Sequence, residues 1–187
     1  MGNVETTPLR DPAEIRFQAI GVATDFSETA GLALSYGAAV ARQFESELHV
    51  LHVLHEPGFS ALHPSFAACE ELARAYFNKL KEGRAKGEGG HEDPAQEFLE
   101  CVERETNDRL RALVSSPLLA GLHIQMAIRY GSPVDEISQY VRQNRIELLV
   151  LGTHGHTTIN HFIIGSVAER VVRKSPCPVL TVRLPRP

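Results

Sequence analysis

Hydrophobic and polar positions along the chain follow two different periods. Short apolar runs, which are typical of strands buried in a sheet, alternate with longer segments whose apolar residues recur every three or four positions, which indicates amphipathic helices. The runs that predict strands are residues 17–23, 48–54, 122–130, 146–151 and 178–182. The third run alternates between apolar and polar side chains, and this favours a position near the edge of the sheet.

Helical segments separate these strands. The apolar spacing predicts helices over 30–44, 65–82, 95–113, 133–141 and 166–174. Ser27, Ser132 and Ser166 are the predicted N-caps, and Glu169 follows Ser166 with the spacing of a capping box. Strands that alternate with helices indicate a mainly parallel sheet with helices on both faces, and such a sheet binds ligands beyond the carboxyl ends of its strands.

A long segment, 57–121, joins the second strand to the third. It contains two of the helical patterns, separated at 83–93 by a stretch with four glycines and no large apolar side chain, which predicts a flexible join. We therefore expect one domain over 1–187, with residues 57–93 as an inserted helix and linker. The inserted helix either covers the core or serves as a lid or a partner surface.

Two pairs of small residues lie between the fourth predicted strand and the last predicted helix. Gly152 and Gly155 follow the strand, and Gly165-Ser166 opens the helix. Glycine permits a positive φ and lets a phosphate approach the backbone, while the amino end of a helix offers unpaired N–H groups and a partial positive charge. Ser166 can donate to a phosphate or cap its own helix. Each glycine alone is explained as a strand end or a helix cap, but the combination favours a nucleotide-binding loop.

Four motifs in this chain resemble those of the universal stress protein family, over about 17–182 apart from most of 57–93. They are Ala23-Thr24-Asp25-Phe26-Ser27, Leu51-His52-Val53, Gly131-Ser132-Pro133 and the family's ATP-binding pattern Gly-x2-Gly-x9-Gly-Ser at 152–166. The resemblance implies a three-layer α/β fold, Rossmann-like and similar to the adenine nucleotide alpha hydrolases. Its five-stranded parallel sheet would have the order 3-2-1-4-5, which brings Asp25 opposite Gly152.

The resemblance also implies ATP as the ligand, with AMP or ADP as alternatives. We expect Mg²⁺ with the nucleotide, because it prefers phosphate oxygens and few protein ligands. Ala23 and Asp25 would meet adenine and ribose, and Val53 would contact adenine through its backbone. The residues implied for the ribose and phosphates are Gly152, Thr153, His154 and Gly155, and those implied for the phosphates alone are Gly165, Ser166 and Val167. Asp25 has a second interpretation, as a helix N-cap or a turn residue at the end of the strand.

One position departs from the family pattern. Many members have Arg or Lys directly after the second glycine, whereas this chain has His156. A neutral histidine brings less charge to a triphosphate, so we expect an affinity that is lower or depends on pH. The family further implies a homodimer through the C-terminal strand, at about 178–183, and a protein partner that the sequence does not identify.

Charge and composition narrow the choice of ligand and compartment. The chain has 19 basic and 23 acidic side chains, a net charge of −4 that disfavours nucleic acid. Residues 152–187 alone have five basic side chains and one acidic side chain, which suits a single anionic ligand. No apolar run reaches the ~18 residues of a membrane helix, and no signal-peptide core is visible. We expect a cytoplasmic protein without a membrane segment, whose three cysteines, lacking C-x-x-C spacing, are reduced thiols.

The patterns of several enzyme classes are missing from the sequence. It contains neither the P-loop pattern nor the G-x-S-x-G elbow of the α/β-hydrolases. His49, His52 and His55 are spaced by three on a strand, so His52 faces away from the other two and the three do not form one metal site. We expect a nucleotide-responsive stress or regulatory protein without catalytic residues. The alternatives are a nucleotide-independent interaction module of the same fold and a slow ATPase or autophosphorylating protein.

Overall fold

The computed structural model describes residue 11 and residues 14–54, 94–153 and 165–185. The helix predicted at 65–82 and the linker predicted at 83–93 lie outside these ranges. Within them the chain forms five strands and four α-helices. The strands are β1 (Ala19–Ala23), β2 (Glu47–Leu54), β3 (Ile124–Tyr130), β4 (Leu148–Gly152) and β5 (Val179–Val182). The helices are α1 (Glu28–Phe44), α2 (Pro94–Val114), α3 (Pro133–Gln143) and α4 (Ser166–Lys174), with a short 3-10 helix at Pro117–Leu119 before β3.

The strands form one parallel sheet in the order β3-β2-β1-β4-β5. This confirms the predicted order. β3 lies at one edge, as its alternating pattern predicts, and β5 lies at the other. The predicted pairing of β5 with a second copy of the chain stays a prediction. The pairing of β1 with β4, which aligns Ile20 with Leu148 and Ala23 with Leu151, makes the centre of the sheet the place where the winding direction reverses.

Two hydrophobic clusters, one on each face of the sheet, produce the three layers. The first contains Ile20, Val22, Leu48, Val50 and Val150 of the strands together with Ala33 and Leu34 of α1 and Leu110 of α2. The second contains Leu51, Leu149 and Leu151 together with Ile137 and Val141 of α3 and Val171 of α4. The central strands are apolar on both faces because each face is covered by helices.

The helix N-termini test the capping predictions. Ser27 caps α1, and its Oγ accepts a hydrogen bond from the Ala30 N–H at 3.2 Å. Ser132 occupies the N-cap of α3 with Pro133 as the first helical residue, as predicted. The prediction for α4 is wrong, because Gly165 is the N-cap and Ser166 is already in the helix.

The N-cap Gly165 has no side chain to complete a capping box in α4, and the side chain of Glu169 has a different partner. It pairs with Arg173 one turn later, at 2.8 Å between Oε1 and Nη2. Pairs of opposite charge four residues apart stabilise a helix surface. The same glutamate therefore fits two local patterns, and the helix uses the second.

β2 carries a buried polar cluster near the amino end of the sheet. His49, only 3% exposed, has Nδ1 at 2.9 Å from the Tyr140 hydroxyl of α3 and Nε2 at 3.2 Å from Glu47 Oε2. Since a carboxylate only accepts, Nε2 carries a proton, and Nδ1 and the Tyr140 hydroxyl share the second hydrogen bond. Glu47 also accepts from Gln125 Nε2 at 2.7 Å and from His123 Nδ1 at 3.0 Å. We refer to Glu47, His49 and Tyr140 as the amino-end cluster.

The cysteines differ from the expectation of reduced thiols. Cys177 is a free, half-buried thiol, but Cys101 of α2 is disulfide-bonded. The expectation is therefore wrong for Cys101. In the part of the chain that the structure describes, none of the helices is both long and apolar enough to cross a membrane.

Candidate functional site

The carboxyl ends of the central strands bring the first predicted ligand residues together. Ala23 ends β1 and aligns with Leu51 of β2 and Leu151 of β4. Asp25 lies two residues beyond the end of β1, and Gly152 is the last residue of β4. Val53 lies one residue before the end of β2, half-buried. The structure thus places these four predicted residues along one edge of the sheet, at the reversal of winding where parallel sheets bind ligands.

A tight turn after β1 presents Asp25. The Phe26 N–H donates to Thr24 Oγ1 at 3.0 Å, and the Ser27 N–H donates to Asp25 Oδ1 at 3.0 Å. These bonds from side chain to backbone reverse the chain between β1 and α1. Asp25 is therefore a turn residue, in keeping with its second interpretation, while Ser27 rather than Asp25 caps the helix. Its half-buried carboxylate remains at the sheet edge.

Three side chains pack around this turn, and the sequence patterns assigned no role to any of them. The Phe26 ring contacts the His52 ring, with 4.6 Å between centroids, and the Arg109 guanidinium of α2, with Cζ 4.6 Å from the Phe26 centroid. His52 Nδ1 lies 2.8 Å from the Thr24 carbonyl oxygen, and since a carbonyl only accepts, Nδ1 carries the proton. The motifs containing Phe26 and His52 were visible in the sequence, but no signal linked Arg109 to them.

Gly152 serves the packing of a helix. A Cβ added there would lie 2.8 Å from Thr29 Cγ2 and 3.1 Å from the Thr29 carbonyl carbon, so the glycine lets the first turn of α1 approach the end of β4. Gly152 is not among the glycines with positive φ, and Gly165 has a φ of −57°. These two glycines therefore do not use the positive φ that glycine permits. The described glycine that does need this freedom within a motif is Gly131, whose φ of 135° turns the chain from β3 towards α3.

Backbone hydrogen bonds tie the start of α4 to the end of β4. Thr153 is fully buried, its N–H donates to the Val182 carbonyl at 2.9 Å, and its carbonyl accepts from the Gly165 N–H at 2.7 Å. Ser166 and Val167 are exposed in the first turn of α4, directly after this junction. The first turn of α4, with its unpaired N–H groups, therefore lies close to the end of β4. The predicted residues His154 and Gly155, and also His156, lie outside the described residues.

Two ionisable groups near this edge keep fixed protonation states at neutral pH. Partial desolvation of the Tyr130 hydroxyl, together with the neighbouring Glu103, raises the pKa of Tyr130 to about 12, so its hydroxyl stays neutral although half of the residue is exposed. A hydrogen bond from Ser132, and then the ammonium group of Lys174, lower the pKa of Asp135 in the first turn of α3. Asp135 therefore stays ionised. The described ranges contain no cluster of three or more His, Cys, Asp or Glu side chains that could hold a metal ion.

The order of strands, the turn at Asp25 and the glycine motif define a class of proteins. A family model described as the universal stress protein family matches residues 16–183, and the chain belongs to this family. Universal stress protein MJ0531 of Methanocaldococcus jannaschii is 28% identical over 170 residues, which cover 91% of this chain and 84% of that protein.

Solved structures show the same fold. The structure of MJ0577, from the same organism, has a TM-score of 0.65 at 25% identity and covers 92% of this chain and all of that chain. A universal stress protein from Archaeoglobus fulgidus, solved in complex with dAMP, has a TM-score of 0.54 at 21% identity, with 90% of this chain and 99% of that chain covered.

Proposed function

We propose that this protein binds ATP at the carboxyl edge of β1 and β4 and acts as a nucleotide-responsive stress or regulatory protein. The observation that carries the proposal is the convergence of Asp25, Gly152 and the first turn of α4 at the reversal of winding. The dAMP complex of the Archaeoglobus relative supports an adenine nucleotide as the class of ligand.

The roles of the residues follow from their positions. Asp25 would accept from the ribose hydroxyls, and Ala23 and Val53 would border the adenine. The backbone N–H groups of Ser166 and Val167, at the amino end of α4, would bind phosphate oxygens, since a helix start carries partial positive charge. Gly165, whose own N–H donates to the Thr153 carbonyl, would leave room for the phosphates to approach. Mg²⁺ would be held mainly by the phosphates, which is its ordinary preference, and would need few protein ligands.

A valine at Gly165 tests the phosphate site. The φ of −57° and ψ of 147° at this residue are open to any side chain, so the substitution adds volume without backbone strain. We expect Gly165→Val to weaken ATP binding at least ~10-fold, because a side chain would occupy space beside the N–H groups that bind phosphate. Isothermal titration with ATP and Mg²⁺ measures the loss.

Arg173→Val is the matched control. It places the same side chain in the last turn of the same helix, at a residue whose side chain is 76% exposed, and it should leave the affinity unchanged. ATP binding by Gly165→Val at the wild-type level would refute the phosphate assignment. A purified wild type that neither carries nor binds an adenine nucleotide would favour the nucleotide-independent interaction module. Multiple turnovers per site under Mg-ATP would instead favour the ATPase.

A further inference from the structure

The turn that presents Asp25 contains a backbone conformation that its sequence disfavours. Phe26 has a φ of 64°, in the left-handed region that bulky residues rarely adopt. Such a conformation persists only where the surrounding structure determines it, and it is found disproportionately at functional sites. The contacts made by Phe26 therefore show what holds Asp25 in place.

β2 holds the turn from one side through His52. The His52 Nδ1–H donates to the Thr24 carbonyl at 2.8 Å, and the Thr24 N–H donates to the Leu51 carbonyl at 2.9 Å. The residue directly before Asp25 is thus bound to β2 through both of its backbone polar groups. The His52 ring also packs on the Phe26 ring, with an angle of 34° between the two planes. One histidine therefore restrains the residues on both sides of Asp25.

α2 holds the same turn through Arg109. Its guanidinium carbon lies 4.6 Å from the Phe26 ring centroid, within the range of a cation–π interaction. Both Arg109 and Phe26 are half-buried, which strengthens such a contact relative to one in water. Phe26 is thereby packed against two elements that are distant from each other in sequence.

We propose that Phe26, held by His52 and Arg109, is a positioning residue that orients the Asp25 carboxylate towards the ribose of the bound nucleotide. This inference rests on the function proposed above. Phe26 need not touch the ligand, because the Ser27 N–H bond to Asp25 Oδ1 transmits the geometry of the turn to the carboxylate. Loss of the ring then affects the recognition of ribose more than the binding of the rest of the nucleotide.

Ribose preference provides the test. The full-length wild type and its variants are titrated with ATP, 2′-deoxy-ATP and 3′-deoxy-ATP. For each protein, the Kd of the deoxynucleotide that binds more weakly is divided by the Kd of ATP, and these ratios are compared. We expect a wild-type ratio of ~10, the value of a hydrogen bond to a charged acceptor. Asp25→Ala should lower the ratio to ~1, because the acceptor is gone. Phe26→Gly accepts the positive φ but lacks the ring, and its ratio should lie within ~2-fold of the ratio for Asp25→Ala.

Conservative variants separate positioning from folding. Phe26→Tyr keeps the aromatic contact and should keep the wild-type ratio, while Arg109→Met keeps much of the volume but lacks the charge and should lower the ratio at least ~3-fold. Circular dichroism and thermal unfolding establish that each variant is folded. If Phe26→Gly does not fold, the outcome with Arg109→Met decides the question.

The results distinguish this inference from the function on which it rests. A wild type that binds ATP without preference for the intact ribose, or variants that lose affinity for all three nucleotides equally, would overturn the positioning role and leave the ATP site standing. A wild type that does not bind ATP would overturn both.

Discussion

β2 carries one histidine to each end of the sheet, and the two have different partners. Near the amino end, His49 lies in the second hydrophobic layer, where its ring nitrogens contact the side chains of Tyr140 and Glu47. Towards the carboxyl end, His52 binds a backbone carbonyl and packs on Phe26, in a turn that carries a candidate ligand residue. One residue type thus takes part in a buried side-chain network and in the support of a surface turn.

The comparison separates residues needed for stability from residues needed for function. In the amino-end cluster each hydrogen bond of His49 joins it to another side chain of the fold, so removing the ring leaves a buried partner unsatisfied. At the carboxyl end the contacts fix the shape of a turn rather than fill the core. Substitutions of His49 should therefore lower the free energy of unfolding and leave ligand affinity unchanged, whereas substitutions of His52 should lower ligand affinity as well.

The largest expected effect is that of His49→Ala. It removes a buried ring and leaves the hydroxyl of Tyr140, a residue that is only 5% exposed, without its hydrogen-bond partner His49. We expect a loss of about 3 kcal/mol in the free energy of unfolding, measured by urea denaturation. The affinity of the folded fraction for ATP should change less than ~2-fold, because the site is at the other end of the sheet.

His123→Ala is the control for this variant. His123 donates to the same carboxylate, but its side chain is 85% exposed, so its removal should leave stability unchanged within error. A His49→Ala protein that is as stable as the wild type would contradict the structural role of His49. One that binds ATP clearly more weakly would contradict the distinction between the two ends of the sheet.

His52→Phe should have an intermediate effect. Phenylalanine keeps an aromatic ring beside Phe26 but has no donor for the Thr24 carbonyl. We expect ATP affinity to fall ~5-fold and the free energy of unfolding to fall by about 1 kcal/mol, the ordinary contribution of one neutral hydrogen bond. Titration calorimetry and urea denaturation on the same preparation give both values. A loss of stability as large as that of His49→Ala, with ATP affinity unchanged, would make His52 a second structural histidine.

The smallest effect concerns pH and Glu47. A hydrogen bond from Gln125, and to a lesser degree those from His123 and His49, hold the pKa of this carboxyl below its ordinary value of 4.5, against the opposing effect of burial. The folded pKa is therefore lower than the unfolded one. The resulting stabilisation is fully present above pH 4.5 and is lost as the pH falls through the folded pKa.

Glu47→Gln tests this pH dependence. Its side chain does not ionise, so stability should fall less steeply below pH 4.5 than in the wild type. Because Glu47 is partly exposed, the difference between the two proteins should stay below about 1 kcal/mol. Urea denaturation at a series of pH values measures it, and identical slopes for the two proteins would show that Glu47 has the same pKa in both states.

The sequence predicted the elements more fully than the contacts between distant residues. Apolar period and turn residues predicted the five strands and four described helices to within two or three residues at most ends, and the resemblance implied the strand order. The cap of α4 was misplaced by one residue, because Gly165 and Ser166 both suit an N-cap and Glu169 suits both a capping box and a pair with Arg173. Local patterns that overlap in this way are decided by geometry.

In the candidate site, local sequence patterns predicted even less of the geometry. Gly152 looked like a place for phosphate approach, yet its missing Cβ is used by Thr29 of α1, a contact that exists only once β4 lies beside β1. The positive φ of Phe26 has no signal in the residue type, because phenylalanine disfavours it. Arg109 reaches the turn only through the packing of α2. Such features arise from tertiary structure and are invisible to periodicity.

The pairing of β1 with β4 also determines when, during synthesis and folding, the candidate nucleotide site can form. Ile20 pairs with Leu48 on its β2 side, but its partner on the other side is Leu148, so the centre of the sheet joins residues that are far apart in the chain. Contacts of such long sequence separation form late and slow the folding of a domain. During synthesis the emerging chain can pair β1 with β2, but the edge where the carboxyl ends of β1 and β4 lie side by side does not exist until β4 has been made. A truncated chain that ends before β4 therefore lacks the candidate site.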